Sequence, residues 1–474
     1  MKVGSSNRYP AEQLEYAARV RNILKDKYDR IPLAMVVTYG CQQNVSDSER
    51  MKGMLSLMGF DFTEETEKAD FIIFNTCAVR EHAEDRVFGN VGALKHYKRR
   101  NPDMIIGLCG CMAQQDIVSE RIRKSYPYVY LLFGTHVQYR LPEFLYRVYT
   151  SKGRVFETSM EQTEVVEDVP VKRDGTFKGW LPIMYGCNNF CTYCIVPYVR
   201  GRERSRDFGE IIKEAKEMIE NGCKDITLLG QNVNSYRSPV ADKNGEAVDF
   251  PKLLRMINNI PGDFRIRFMT SHPKDCSKEL LYAMRDCQKV AKHLHLPFQC
   301  GSNEILRRMN RRYTRETYLG LIKTARELMP DIAITSDIIV GFPGEKYEDF
   351  LETLSLVEEV SFTALFTFIF SSRPGTPAAQ MEDPVSREEK GKWFRELLAV
   401  QEKISKKNEA ALGGKTFRLL CDDIGRNPGF MAGHTDTNIC LEFEGDKSLL
   451  GQFVTVETEY NNGVLIARLI KGEN

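Results

Sequence analysis

The chain reads as an α/β protein in three parts. They are an N-terminal open parallel α/β sheet domain, a central (β/α)6 partial barrel and a small five-stranded C-terminal β-barrel. Two stretches of alternation predict the first two parts. Short β-branched runs alternate with helical patterns from residue 33 to about 149, and again in longer units from 173 to about 384. Such alternation builds parallel sheets with crossover helices. From Lys415 the pattern changes to short strands divided by turn signals such as Asn427-Pro428-Gly429 and Asn461-Asn462-Gly463. That is the pattern of a small barrel.

Taken in order, residues 1–32 form a polar helical leader and 33–149 the sheet domain. Strands are expected at Ala34–Thr38, Phe71–Asn75, Met104–Leu108 and Val129–Phe133, with helices such as Ser46–Met58 and Ala83–Lys98 between them. Residues 150–172 carry Glu161, Glu164, Glu167 and Asp168 with no clean period, so they read as a linker or exposed hairpin. Residues 173–405 hold six strand candidates: Leu181–Tyr185, Asp225–Leu229, Arg265–Met269, Lys292–Leu296, Ile332–Val340 and Thr363–Phe370. Six units are two short of a closed eight-unit barrel, and an open side admits a large substrate. A Lys/Glu-rich helix from Pro384 to about Leu412 leads into the barrel of residues 408–474.

Composition excludes several classes. Charged residues make up 28% and apolar ones 42%, as in ordinary globular proteins. The first twenty residues lack an apolar core of signal-peptide length. The greasiest stretch, Val360–Phe370, is too short to span a bilayer. A cytoplasmic protein with no membrane partner is expected. The net charge is only +1, so any nucleic-acid contact must use local patches. Thirteen cysteines in that compartment stay reduced, and seven of them show no pattern and read as small core residues.

The other six carry chemistry. Cys187, Cys191 and Cys194 stand in Tyr185-Gly186-Cys187-Asn188-Asn189-Phe190-Cys191-Thr192-Tyr193-Cys194. Zinc sites usually come as paired C-x2-C hooks, whereas this C-x3-C-x2-C string has no fourth thiol nearby. Three thiolates can hold a cubic four-iron cluster and leave one iron open to a reactant. Cys41, Cys77 and Cys111 each follow an apolar strand, beside Gly, Asn or Thr. Carboxyl ends of strands form the ligand crevice of an open α/β sheet, so these three read as a second metal site. Cys109 falls nearer a strand body and is assigned to packing.

These motifs resemble those of the radical S-adenosylmethionine (SAM) superfamily, whose string is C-x3-C-x-aromatic-C after a first strand. The resemblance implies that the open iron binds SAM and that an electron from the cluster cleaves it to a 5′-deoxyadenosyl radical. Tyr193 would lie against the adenine. Gly230 and Gln231, in Leu229-Gly230-Gln231-Asn232, take the place of the superfamily's Gly-Gly-Glu motif. Gly341, in Asp337-Ile338-Ile339-Val340-Gly341-Phe342-Pro343-Gly344-Glu345, resembles its later glycine motif, although Gly-Phe-Pro-Gly is also an ordinary turn. Asp337, taken as a strand end, would hold ribose hydroxyls or satisfy nearby backbone.

From about residue 33 onward the whole chain resembles the methylthiotransferases, which join an N-terminal methylthiotransferase domain, a radical SAM domain and a TRAM domain. Within them Thr38–Asn44, Thr270-Ser271-His272-Pro273 and Leu294–Gln299 look most like the MiaB type, with Cys300 where a Ser is expected. The resemblance implies that Cys41, Cys77 and Cys111 hold an auxiliary [4Fe–4S] cluster beside the radical one. It implies methylthiolation at C2 of N6-isopentenyladenosine in a tRNA anticodon stem-loop, using two SAM. A flavodoxin- or ferredoxin-type reductant and an iron–sulfur or sulfur carrier protein are the implied partners, with a monomer as default. Two sibling reactions stand beside it: methylthiolation of threonylcarbamoyl-adenosine and of a ribosomal-protein aspartate. An iron–sulfur RNA-binding protein or electron carrier is the non-enzymatic alternative.

A base in a stem-loop must be splayed out to reach such a cavity. Candidate RNA contacts are Arg200, Arg202, Arg204 and Arg206, the run that includes Arg308 and Arg312, and Lys95, Lys98, Arg99 and Arg100; the alternative for each is a solvated face. The terminal barrel is acidic, with six Lys+Arg against ten Asp+Glu, so RNA contact there would need a local face such as Lys415, Arg418 and Arg426.

Overall fold

The structure is a computed structural model describing residues 8–78, 81–151, 153–160 and 165–470. Residues 1–7 of the leader, Glu161 and Glu164 of the acidic stretch and the last four residues of the barrel lie outside the described residues. The chain divides into two compact units. One comprises 1–174, 184–188 and 194–210, and the other 175–183, 189–193 and 211–474.

The first unit is built on six parallel strands: β1 (Leu33–Thr38), β2 (Asp61–Phe62), β3 (Phe71–Thr76), β4 (Ile105–Gly110), β5 (Leu131–Phe133) and β6 (Val155–Glu157), in the order β2-β1-β3-β4-β5-β6. The expected four strands are present, and two short edge strands join them. β6 falls in the stretch read as a linker; its backbone pairs with β5 and so belongs to the sheet. The central strands β3 and β4 are buried along their whole length, which explains their continuous apolar runs. The helix Ala11–Lys27 buries Ala17, Val20 and Leu24 in the same core, so this part of the polar leader packs as an integral element.

The second unit contains the half-barrel. β7 (Lys178–Pro182) begins earlier than expected, and the following β8 (Met184–Tyr185) pairs instead with β9 (Arg204–Ser205) as a ribbon of the first unit. The remaining strands are β10 (Asp225–Leu229), β11 (Arg265–Phe268), β12 (His293–His295), β13 (Ala333–Val340) and β14 (Ala364–Ile369). They form two parallel three-stranded sheets, β7-β10-β11 and β12-β13-β14, joined by the parallel bridge Ile266 to Val290. This is the expected six-unit partial barrel.

Five strands close the C-terminal barrel: β15 (Thr416–Ile424), β16 (Phe430–Thr435), β17 (Cys440–Glu444), β18 (Phe453–Asn461) and β19 (Val464–Leu469). It is fastened to the amino-terminal ends of the half-barrel strands. Arg265 and Arg267 donate to carbonyls at the end of β16 and the start of the turn after it, at His434, Thr435 and Asp436. Lys178 and His434 both pair with the buried carboxylate of Asp422. Arg418 lies over Phe453 and pairs with Asp263 at 2.6 Å, so it serves this junction. No helix among the described residues is long and apolar enough to cross a membrane.

Candidate functional site

In the first unit the loops after β1, β3 and β4 converge. Gly40 adopts φ +111°, and a Cβ there would stand 2.5 Å from Cβ and 2.9 Å from Sγ of Cys77. Only glycine lets the backbone before Cys41 approach so closely. Gly110, at φ +91°, does the same before Cys111, where a Cβ would strike Asn75 and the Thr76 carbonyl. Two amides clasp the loops. Asn44 donates to the carbonyls of Tyr39 and Thr76, and Asn75 donates to the Asn44 carbonyl and Ser48. Cys41 is exposed, whereas Cys77 and Cys111 are buried.

Cys111 has a charged partner. Nε of Arg200 donates to its Sγ at 3.1 Å, while Nη2 donates to Asn44 at 2.7 Å and to Asp47 at 2.8 Å. Burial pushes the Cys111 thiol up to about 11; neighbouring Cys41 and Cys77 push the same way, and Arg200 pulls against them. The three thiols are thus close enough to feel one another. Among the described residues no trio of Cys, His, Asp or Glu is drawn together tightly enough for a single ion. The donor set, three thiols, is of the kind that would hold an iron–sulfur cluster. Cys109 is fully buried with its Sγ 3.5 Å from Sδ of Met51, as a core residue.

Arg200 was expected to meet phosphate. The structure corrects this: it is 4% exposed and its guanidinium is spent on Cys111, Asn44 and Asp47. Beside it a cavity of about 80 Å³ is walled by Asp47, Arg50, His136, Tyr185 and Arg204. Arg204 is half-buried, and Arg206 is buried in a 2.7 Å pair with Glu167, so Arg202 is the exposed member of this row.

The loop bearing Cys187, Cys191 and Cys194 runs through both units: the outer two cysteines count with the first and Cys191 with the second. In the first, the Cys187 amide donates to Gly201, and Asn188 is held by Glu203. In the second, Arg311 donates from Nη1 to Sγ of Cys191 at 3.4 Å, from Nη2 to Pro297 and from Nε to Tyr313. Arg311, which stands between Arg308 and Arg312 in the basic run, is buried, and sequence alone gave no sign of it. Arg312 beside it is exposed, and Arg308 is half-buried against the Gly344 carbonyl. Tyr193 meets Phe342 edge-on, and Phe342 meets Phe370 in the same way.

The carboxyl ends of β10 and β11 are stitched together. The Thr270 hydroxyl donates to the Gly230 carbonyl at 2.6 Å, and Asn234 exchanges two hydrogen bonds with the His272 backbone. Gln231, next to Gly230, is half-buried. Thr270 has φ +66°, a costly conformation for a β-branched residue. His272 accepts the Lys274 amide at Nδ1, which places its proton on a buried Nε2 that has no hydrogen-bond partner among the described residues. Burial, with nearby Arg311, pulls this imidazole down to about 2, so it is neutral.

Asp337 does not end its strand; it lies inside β13, 3.6 Å from Nε2 of His295. Gly341 turns at φ +74°, its amide bonds Glu345, and the stem of Lys390 fills the space a side chain would need. Cys300 is buried between Thr353 and Glu345 and serves as packing.

Residues 34–134, which hold Cys41, Cys77 and Cys111, match the uncharacterized protein family UPF0004, and residues 181–357 match the radical SAM superfamily. The tRNA-2-methylthio-N(6)-dimethylallyladenosine synthase of Thermoanaerobacter sp. (strain X514) is 52% identical over 423 residues, covering 89% of each chain. The synthase of the same name from Acetivibrio thermocellus is 48% identical over 94% of this chain and 91% of its own. Among solved structures, the radical SAM methyltransferase TsrM from Kitasatospora setae shares the fold, with TM-score 0.53 and 15% identity over 74% of this chain and 77% of its own.

Proposed function

Because the chain belongs to the family of radical SAM tRNA-2-methylthio-N(6)-dimethylallyladenosine synthases, we propose that it replaces the C2 hydrogen of N6-isopentenyladenosine, beside a tRNA anticodon, with a methylthio group. Membership of the radical SAM superfamily implies a [4Fe–4S] cluster and SAM. The C2–H of adenine is neither acidic nor a leaving group, so a carbon radical is the reagent that can open it. The observation that carries the reading is the pairing of two thiol triads in one chain, one in a short loop and one collected from three strand ends.

In this reading Cys187, Cys191 and Cys194 hold the radical cluster, and Cys41, Cys77 and Cys111 hold an auxiliary one. Bound there, the clusters supply a 5′-deoxyadenosyl radical from one SAM and a sulfur atom that takes the methyl of a second. The chain's own residues prepare these positions. Arg311 neutralises charge on Cys191, and Arg200 does so on Cys111. Asn44 and Asn75 fix the three loops. Tyr193, Gly230, Gln231, Asp337 and Gly341 remain the candidates for SAM. Arg202 and Arg312, which are exposed, and Arg308 and Arg204, which are half-buried, are the candidates for the anticodon arm.

Residues 33–149 would then be the methylthiotransferase domain, 173–405 the radical SAM domain and 408–474 a TRAM domain. A flavodoxin- or ferredoxin-type reductant supplies the electron, and a carrier protein replaces spent sulfur. The protein works as a cytoplasmic monomer. Mass spectrometry of tRNA nucleosides from cells lacking this chain tests the reading. Loss of 2-methylthio-N6-isopentenyladenosine with accumulation of the unthiolated base supports it. Loss of the threonylcarbamoyl derivative instead overturns it.

A further inference from the structure

The inner face of the half-barrel carries an aromatic surface that the cluster chemistry does not use. Side chains alternate across a strand, so contacts on one strand assign both faces. In β13, Ser336 and Ile338 are fully buried, whereas Thr335 receives both His293 and His295 and Asp337 approaches His295. The second set therefore faces inward. The register pairs Asp337 with Phe366 and Ile339 with Phe368. Phe366 also meets His295 edge-on at 5.7 Å. Both phenylalanines thus face the lumen.

Their exposure is anomalous. Phe366 is 49% and Phe368 43% accessible, on a strand whose opposite face packs on the helix Arg387–Ala410. Ligand pockets pair apolar walls with a few polar groups, and two open rings on the inner face of the half-barrel offer such a wall. Here His295 is such a group, with Asp337, the candidate for SAM, 3.6 Å from its ring.

We propose that Phe366 and Phe368, with Ile339, hold the dimethylallyl substituent of the target adenosine and so set specificity for a prenylated base. The inference rests on the function proposed above, and it commits to the prenyl group for a chemical reason. Five branched apolar carbons gain most from an aromatic wall, whereas a threonylcarbamoyl group brings a carboxylate that the nearby Asp337 would repel. Specificity of this kind is worth roughly 10–200-fold for each apolar group accommodated.

The test uses the reconstituted full-length enzyme and two synthetic anticodon stem-loops, one carrying N6-dimethylallyladenosine and the other N6-methyladenosine. Because both rings are already exposed, Phe366→Ala and Phe368→Ala remove little packing, and thermal unfolding checks that the fold persists. Each variant should raise KM for the prenylated RNA roughly tenfold and lower its preference over the methylated RNA by a similar factor. RNA-free formation of 5′-deoxyadenosine should stay within about twofold of the parent, and Phe366→Leu should recover part of the loss. Unchanged KM and preference would overturn the assignment. A parallel fall in SAM binding and RNA-free cleavage would also overturn it, by giving the rings to SAM. If the parent enzyme itself ignores the prenylated RNA, the functional reading fails, independently of these variants.

Discussion

The two thiol triads are assembled in opposite ways. Cys187, Cys191 and Cys194 lie within eight residues, so their spacing survives any change that spares one loop. Cys41, Cys77 and Cys111 come from three strand ends, and the whole β1-β3-β4 sheet must be in register to bring them together. Each triad has one buried arginine on a thiol, but the arginines differ. Arg311 rests on a carbonyl and a phenol, whereas Arg200 is locked to the carboxylate of Asp47. A locally encoded site tolerates a loosened scaffold; a site gathered over long range reports on the integrity of its domain.

The strongest way to break the comparison is to remove one triad at a time. Cys41→Ala should abolish methylthiolation, by more than about 100-fold, yet keep SAM cleavage and about half the iron. Cys191→Ala should abolish both activities. Iron analysis beside nucleoside mass spectrometry separates the two, and full methylthiolation by Cys41→Ala would end the two-site reading. Next in size, Arg200→Met leaves Asp47 buried without its partner and should cost roughly 3–5 kcal/mol of stability in the first unit. Denaturant unfolding of the iron-free protein measures it, and Arg200→Lys should restore only part. Arg311→Met strands no carboxylate, so it should cost less stability while altering the electron paramagnetic signal of the radical cluster.

The smallest effect concerns the terminal barrel. Burial alone would raise Asp422, but the hydrogen bonds from His434 and Lys178 outweigh it and hold this carboxyl below the ordinary value. Its folded-state pKa is depressed, so its stabilisation is complete above about pH 4 and drains away as pH falls further. Asp422→Asn should cost about 1 kcal/mol at neutral pH and flatten the stability curve below pH 4. An unaltered acid limb would place the sensitive group elsewhere.

How much of this was legible in the sequence follows the same divide. The C-x3-C-x2-C loop is local and spoke for itself. The strand-end cysteines were legible because a parallel sheet has a defined ligand edge. Arg200 and Arg311 were not, because a basic run reads as a surface whichever members fold inward. The division of Leu181–Tyr185 between β7 and β8 was missed because an apolar run does not mark where one sheet hands over to a ribbon. The aromatic wall was hidden for a related reason. The run Ala364–Ile369 is apolar at nearly every position, so its sequence does not mark which alternate set is left exposed.

The β16–β17 turn sits on Arg265 and Arg267, whose side chains share the inner face of the half-barrel at the strands' starting ends. The lumen is therefore blind at that end. Whatever enters must leave by the opposite mouth or by the open flank.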